Sequence, residues 1–444
     1  MSSGRGSRNS AKGSHRRGNI NPTIWQEIMK QHRTISRRLF SKFLAASPLL
    51  AYSAGVDAFA QDALDPDLRS ILSQTREIVA SPDQAMNVFD LEAVARNKLP
   101  PAHYGYIATG VESELTQIAN REAYKHIQLR VRRLVDASHV DMGVDLFGVK
   151  WPSPIFLSPA GSQKAFNPDG EVAVAKAARS RRHIQILSAS SSFSVEDVND
   201  ARGEPVWFDT FLIEDWSLAS SIIERAEKVG CPVLVVTVDY TTDQNRETRQ
   251  TFALKDNRNC GTCHGPTFKS KSAPIPKIYL PNYTGMEQRK VGGETIPSTW
   301  DMIDRIRNQT KMKVVLKGIL TAEDASLCVK RGVDGIIVSN HGGRADPTGL
   351  GTIESLPEVV SAVAGKMPVM VDGGIRRGAD SFKALALGAS AVGIGRPYLW
   401  GLGAFGQPGV ERVLDILRAE LSLLMKQAGT PSIAKITPEF LVRR

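Results

Sequence analysis

Cysteine is scarce in this chain, four residues in 444, so a disulfide framework is excluded as the main support of the fold. At this length a buried core is sufficient without one. No stretch of eighteen or more apolar residues occurs, which excludes an ordinary membrane-spanning helix. No G-x-G-x-x-G fingerprint follows the first apolar run, which counts against a doubly wound dinucleotide fold. Negative charge is in deficit, at +10 net, but residues 1–60 account for +8 of it, with ten Lys/Arg against Glu27 and Asp57. The basic excess therefore belongs to the N-terminus and not to a nucleic-acid-binding face.

That N-terminus reads as a sorting segment. SRRLFSK (36–42) precedes the modestly apolar FLAASPLLAY and then Ala58-Phe59-Ala60, a small-x-small cleavage pattern. Paired arginines before a weakly hydrophobic stretch match a twin-arginine export signal, complete from Met29 onward. Residues 1–60 are thus expected to be a leader, and the protein periplasmic, with its cofactor loaded before export. A disordered basic tail is the alternative.

From about Asp90 onward, short β-branched apolar runs alternate with helical patterns. The runs are PIFLSP (154–159), IQILSA (184–189), VWFDTF (206–211), VLVVTVD (233–239), KVVLKG (313–318), GIIVSN (335–340), PVMVDGG (368–374) and AVGIGRP (391–397). Continuous apolar runs read as parallel strands buried on both faces. Between them GEVAVAKAARS, SLASSIIERAEKVG, TAEDASLCVKRG and ADSFKALALG carry the helical period, three of the four ending on glycine. Eight units predict a TIM (β/α)8 barrel over 151–436, all but the eighth strand clearly leading into a helix. A helical N-terminal extension is expected over 61–150, a lid over about 243–297, and a tail over 437–444. The lid stretch is far longer than a strand-to-helix connection needs.

Barrel chemistry collects where strands end. The fourth run ends in Thr237-Val238-Asp239 with Arg246 beyond, the fifth at Lys317, the sixth at SNHGGR (339–344), the seventh at Asp372-Gly373-Gly374 with Arg376, and the eighth at Gly395-Arg396. The glycines and arginines of the last two loops suit a phosphate. His341 suits a general base, with Asp239 to hold its tautomer. Gly342 and Gly343 would give a tight turn and leave room for a ligand. Arg344 and Arg246 would grip a carboxylate. Together these residues describe a small carboxylate oxidised against a phosphate-bearing cofactor.

SNHGGR, with TIESLPEVV behind it, VDGGIRRGADSFKALALGA downstream, LPPAHYGYIATG near the start and VLKGILTAEDA in the middle, resembles the FMN-dependent 2-hydroxy-acid dehydrogenase/oxidase family from about Asn87 to Ile436. The resemblance implies FMN as cofactor, oxidation of a small L-2-hydroxy acid such as lactate or glycolate to the 2-oxo acid, and His341 as base oriented by Asp239. It implies that Arg246, Arg344 and Tyr106 hold the substrate carboxylate and that Lys317 sits beside the flavin N1/O2 edge. Ser158, Pro159, Ala160, Ser188, Thr237, Ser339, Asp372 and Gly373 would contact the flavin, and Gly374, Arg376, Gly395 and Arg396 its phosphate. It also implies a homo-oligomer, tetrameric in the family, and a respiratory acceptor or dioxygen for the electrons. Membrane association through the lid follows from some relatives.

Two stretches depart from the family. WFDTFLIED (207–215) places Asp209 where a flavin-contacting glutamine is usual and Phe211 where a tyrosine meets the substrate hydroxyl. Loss of that phenol removes one hydrogen bond, and an ionised Asp209 would oppose flavin reduction. In the lid, Cys260-Gly-Thr-Cys263-His264 fits haem c attachment, with Met286 as a candidate second iron ligand, and equally a disulfide or a two-cysteine metal clip. Cys231 and Cys328 read as small core residues. Competing functions are an enzyme of the same fold acting on an amine or a larger hydroxy acid, and a flavin-binding electron carrier without turnover.

Overall fold

A computed structural model describes residues 78–213, 215–240, 244–257, 281–285 and 299–443. The leader, most of the lid, Cys260, Cys263, His264 and Met286 lie outside the described residues. Ile78 onward makes one compact unit.

Before the barrel come β1 (Ile127–Leu129) and the antiparallel pair β2 (Val144–Leu146) and β3 (Val149–Trp151). Eight parallel strands follow: β4 (Ile155–Leu157), β5 (Ile184–Ser188), β6 (Trp207–Phe211), β7 (Val233–Thr237), β8 (Lys313–Lys317), β9 (Gly335–Val338), β10 (Val369–Asp372) and β11 (Ala391–Ile394). Each pairs with the next, and β11 closes on β4 through Val392↔Ile155, Gly393↔Phe156 and Ile394↔Leu157. Each predicted run holds one strand. Most strands are shorter than their run at the C-terminal end, because those residues leave the sheet to build the site. The eighth strand also leads into a helix, Arg396–Phe405.

Alternation along each strand splits its residues into two sets. Ile155, Leu157, Leu187, Phe208, Leu234, Val236, Leu316, Val338 and Val371 face the surrounding helices and join the main core. The opposite set fills the barrel, with Phe156, Ile184, Ile186, Trp207, Val235, Val315, Ile337 and Met370 in its lower part. Each such side chain contributes about 1.5–3 kcal/mol by leaving water. Continuing that inward set upward gives Ser158, Ser188, Asp209, Thr237, Lys317, Ser339 and Asp372, all buried. The top layer of the barrel is polar.

The segment before the barrel is not purely helical, contrary to the sequence expectation. It carries helices Val88–Lys98, Pro101–Ala108 and Leu115–Glu122, but its hairpin β2–β3 sends Leu146, with Phe147 and Trp151 alongside, against the lower barrel layer. The hairpin signal, Phe147-Gly148, was hidden in a short alternating stretch. Nor are residues 437–444 a loose tail. β12 (Leu441–Arg443) pairs antiparallel with β1. No described helix is long and apolar enough to cross a membrane.

Helix Leu115–Glu122 lies against the strand-end loops. Asn120 and Asn340 exchange amide hydrogen bonds of 2.8 and 3.0 Å, and Thr352 N donates to Asn120 Oδ1 at 3.1 Å. Arg121 pairs with Asp380 at 2.9 Å and also donates to the Gly374 carbonyl. Gly374 has φ 81°, and a Cβ there would fall 1.8 Å from the Asn120 carbonyl oxygen. Gly374→Ala is therefore expected to lower stability by about 2 kcal/mol or more, from strain and clash together. Equilibrium unfolding in urea checks this, and an unchanged midpoint would show that the helix gives way freely.

Candidate active site

The polar layer gathers around one cation. Lys317, at the end of β8, is buried, with Nζ 4.0 Å from Asp372 Oδ2. Burial pushes its ammonium towards the neutral form, but Asp239, Asp372 and Asp209 outweigh burial and hold its pKa above the usual value. Asp372 also accepts a 3.0 Å hydrogen bond from Ser158 Oγ.

Asp239 lies just past β7. Its Oδ1 meets His341 Nδ1 at 2.9 Å. Burial works against its charge, yet Lys317 and His341 keep its carboxyl below the ordinary range. His341 is shifted down, chiefly by burial and also by Lys317 and Arg344, with Asp239 opposing. The imidazole is therefore neutral at pH 7. With Nδ1–H donated to Asp239, Nε2 carries the free lone pair a base needs. The dyad expected from sequence is assembled.

Three guanidinium groups converge on the Tyr106 ring, with Cζ atoms 4.5 Å (Arg344), 5.3 Å (Arg249) and 5.8 Å (Arg246) from its centroid. Arg246 Nη2 donates to Tyr106 O, Thr109 O and Thr109 Oγ1 at 3.0–3.1 Å. Burial, then Arg344 and Arg249, depresses its pKa to about 8. Burial would raise the Tyr106 phenol, but Arg344, Arg249 and Arg246 bring it below its normal value. The Nε atoms of Arg246 and Arg344 are buried without a hydrogen-bond partner. Such a cluster attracts an anion, and a planar carboxylate suits it best. Arg249 was missed in the sequence. Its signal was the i, i+3 spacing from Arg246 at the start of helix Glu247–Leu254.

A cleft runs from this pocket along the barrel mouth. Ser158, Pro159, Ala160, Lys317, His341, Arg344, Asp372, Gly373, Gly374, Arg376, Gly395 and Arg396 all line it. Ser188, Asp209, Thr237 and Ser339 are buried in the same layer but do not line that cleft. Ser339 Oγ instead accepts from His341 N at 3.1 Å. Thr237 Oγ1 donates to Asp209 Oδ1 at 2.6 Å, and burial foremost raises the Asp209 pKa to about 7. The aspartate that seemed out of place beside a flavin is thus half-neutral near physiological pH.

At the far end, helix Arg396–Phe405 begins without a side-chain cap, so its amide end is open to an anion. A Cβ on Gly395 would meet nothing within 4 Å, leaving open space there. Arg376 stacks on Trp400, its Cζ 4.8 Å from the ring centroid. A phosphate end and a flat, polar-edged middle fit FMN. Arg396 has a further task that the sequence did not reveal. Its guanidinium donates to Ile107 O, Gly342 O, Thr109 O and Gln117 Oε1 at 2.6–3.2 Å.

Gly342 and Gly343 both have positive φ, 69° and 75°, as a tight turn requires, but they differ in what they face. Gly342 lines the cleft, as expected, although a Cβ on it would lie 2.9 Å from Arg396 Nη1. Gly343 needs a correction: a Cβ there would fall 2.4 Å from Gln117 N, so it lets the N-terminal segment approach the histidine loop and does not make room for a ligand.

With this geometry in view, comparison with known proteins is decisive. The profile of the FMN-dependent dehydrogenase family matches residues 95–443. The chain belongs to that family. It is 37% identical over 356 residues to a peroxisomal (S)-2-hydroxyacid oxidase of Arabidopsis thaliana, covering 80% of this chain and 96% of the relative. It is 38% identical over 353 residues to glycolate oxidase 1 of Oryza sativa subsp. indica, covering 79% and 94%. Among solved structures, a mandelate oxidase variant with (S)-mandelic acid superposes at TM-score 0.71 with 35% identity, covering 81% of this chain and 99% of that one. The family dehydrogenase carries FMN, and its eight-stranded barrel is the one described above.

Asp239→Asn keeps the shape of the dyad but removes the charge that orients and stabilises a protonated imidazole. A fall of about 10²–10⁴-fold in the rate of anaerobic flavin bleaching is expected, with FMN content unchanged. Stopped-flow absorbance checks it, and a loss under tenfold would show that His341 does not need Asp239.

Proposed function

We propose that this dehydrogenase oxidises an (S)-2-hydroxy acid to the 2-oxo acid. The observation that carries the reading is the His341–Asp239 dyad at 2.9 Å beside the arginine cluster on Tyr106. Arg344 and Arg246 hold the substrate carboxylate, and Tyr106 completes that grip. With the carboxylate fixed, the adjoining carbon and its oxygen stand at the histidine. His341 Nε2 takes a proton from the substrate, and Asp239 stabilises the imidazolium that forms. FMN, when bound, supplies the two-electron acceptor. Lys317 places positive charge where negative charge gathers on reduction. The names of the relatives, (S)-2-hydroxyacid, glycolate and mandelate oxidases, support the substrate class.

An oxidase passes its electrons to dioxygen, and those names support that acceptor. The SRR leader supports the other reading, export to the periplasm and a respiratory acceptor. Hydrogen peroxide yield against reduction of an artificial electron acceptor separates the two. A homotetramer and a lid at the membrane surface belong to the same proposal by resemblance. Haem c at Cys260, Cys263 and His264 is not carried forward: the family match supports FMN and gives no support to a haem.

The direct test mixes oxidised enzyme anaerobically with glycolate, L-lactate and L-mandelate. Bleaching of the flavin by at least one is expected, slowed about 10²–10⁴-fold in His341→Ala. A His341→Ala protein that bleached at the wild-type rate would sink the mechanism.

The pH dependence follows from two groups. His341 titrates below 6.5, so activity rises with pH on the acid side as the base loses its proton. Asp209 ionises near pH 7, and its negative charge opposes flavin reduction, so activity falls above that point. A narrow bell is expected, and Asp209→Asn should remove the alkaline limb. The same substitution should flatten the loss of stability as pH rises from 4 to 7, where native Asp209 binds more proton than the unfolded chain. A variant with an unaltered rate profile would place the alkaline limb elsewhere.

A further inference from the structure

Phe211 leaves the histidine side of the pocket without a hydroxyl, yet a phenol stands there from another strand end. Tyr240 follows Asp239 directly, where the chain leaves β7. Its ring centroid lies 5.3 Å from that of His341 and 5.7 Å from that of Phe211, and Phe211 in turn stacks on His341 at 6.3 Å. The three rings form one wall around the base. Tyr240 remains 36% exposed in that wall, and its hydroxyl has no hydrogen-bond partner among the described residues. It shares Arg344, Arg246 and Arg249 as charged neighbours with Tyr106, so its phenol borders the same anion pocket. A large, partly exposed aromatic whose hydroxyl lies beside a base and an anion pocket is suited to meet a polar ligand.

We propose that Tyr240 is a substrate-contacting residue that donates a hydrogen bond to the oxygen on the carbon next to the carboxylate, a contact that Phe211 cannot make. The assignment rests on the 2-hydroxy-acid reading above. With the carboxylate on Arg344, Arg246 and Tyr106, and the reacting carbon at His341 Nε2, the remaining oxygen lies on the Tyr240 side. The phenol keeps its proton throughout. It holds the oxygen and transfers nothing.

The test compares holoenzyme of wild type, Tyr240→Phe and the double variant Tyr240→Phe/Phe211→Tyr. Two readouts are taken. One is the limiting rate of anaerobic flavin bleaching with glycolate, L-lactate and L-mandelate. The other is the Kd of oxalate, which offers a carboxylate and an oxygen on the adjoining carbon, read from the shift of the flavin absorbance. Tyr240→Phe should slow bleaching about 10- to 100-fold and weaken oxalate by a comparable factor, with FMN content and thermal midpoint unchanged. Restoring a phenol on the facing ring should recover about tenfold of both. Wild-type rate and wild-type oxalate Kd in Tyr240→Phe would overturn the assignment. So would a loss that comes with shed FMN or a lowered midpoint and is not rescued by the second phenol. If wild type itself bleaches with none of the three acids, the substrate reading fails, and this contact fails with it.

Discussion

An ammonium group buried at the top of a parallel barrel is the constraint around which the site is arranged. Removing a charge from water costs several kcal/mol, and a lone lysine would lose its proton instead. Lys317 keeps its proton because Asp239, Asp372 and Asp209 surround it. The dependence runs in both directions. Asp239 stays ionised because Lys317 is charged, and an ionised Asp239 fixes the tautomer of His341. Asp209 is the member that the one cation cannot fully compensate, so its proton is retained to about pH 7. A single cation thus sets the protonation of a base, its orienting acid and a third carboxyl.

How that layer arises is simple geometry. Inward residues on each strand recur every second position, and the lower positions are apolar while the last is polar. Val315 precedes Lys317, Val235 precedes Thr237, Ile337 precedes Ser339 and Met370 precedes Asp372. Because seven of the eight runs carry this switch at the same height, the polar ends meet as a ring. This is why the barrel and most of the ring were legible in the sequence: the signal was local and repeated from run to run.

What was not legible depends on contacts between distant segments. Nothing near Gly342 or Gly343 in sequence announces that Arg396 and Gln117 occupy the space beside them. Arg396 lines the cleft, but its neighbours in sequence do not announce the four carbonyl and amide oxygens from the N-terminal segment and the histidine loop that also engage it. The floor of the barrel came from a hairpin whose strands, three residues each, are too short to show a period. Tyr240 escaped notice because it lies just past the end of β7, outside the apolar run, and only folding places its ring against His341 and Phe211.

The histidine loop shows why these distant ties matter. His341 has φ 56°, a left-handed conformation that costs a non-glycine residue energy, and Gly342 and Gly343 continue it. Such a turn persists only if its surroundings hold it. Here the His341 amide is fixed by Ser339 Oγ, the Gly342 carbonyl by Arg396, and the Gly343 carbonyl by Val111 N at 3.1 Å. Asn340 is locked to Asn120 one residue earlier. Helix Leu115–Glu122 and its flanking residues are therefore part of the catalytic machinery without touching the substrate. They hold the backbone in the strained form that aims the imidazole inward, at the distance where Asp239 can orient it and the arginine cluster can present an acid to it.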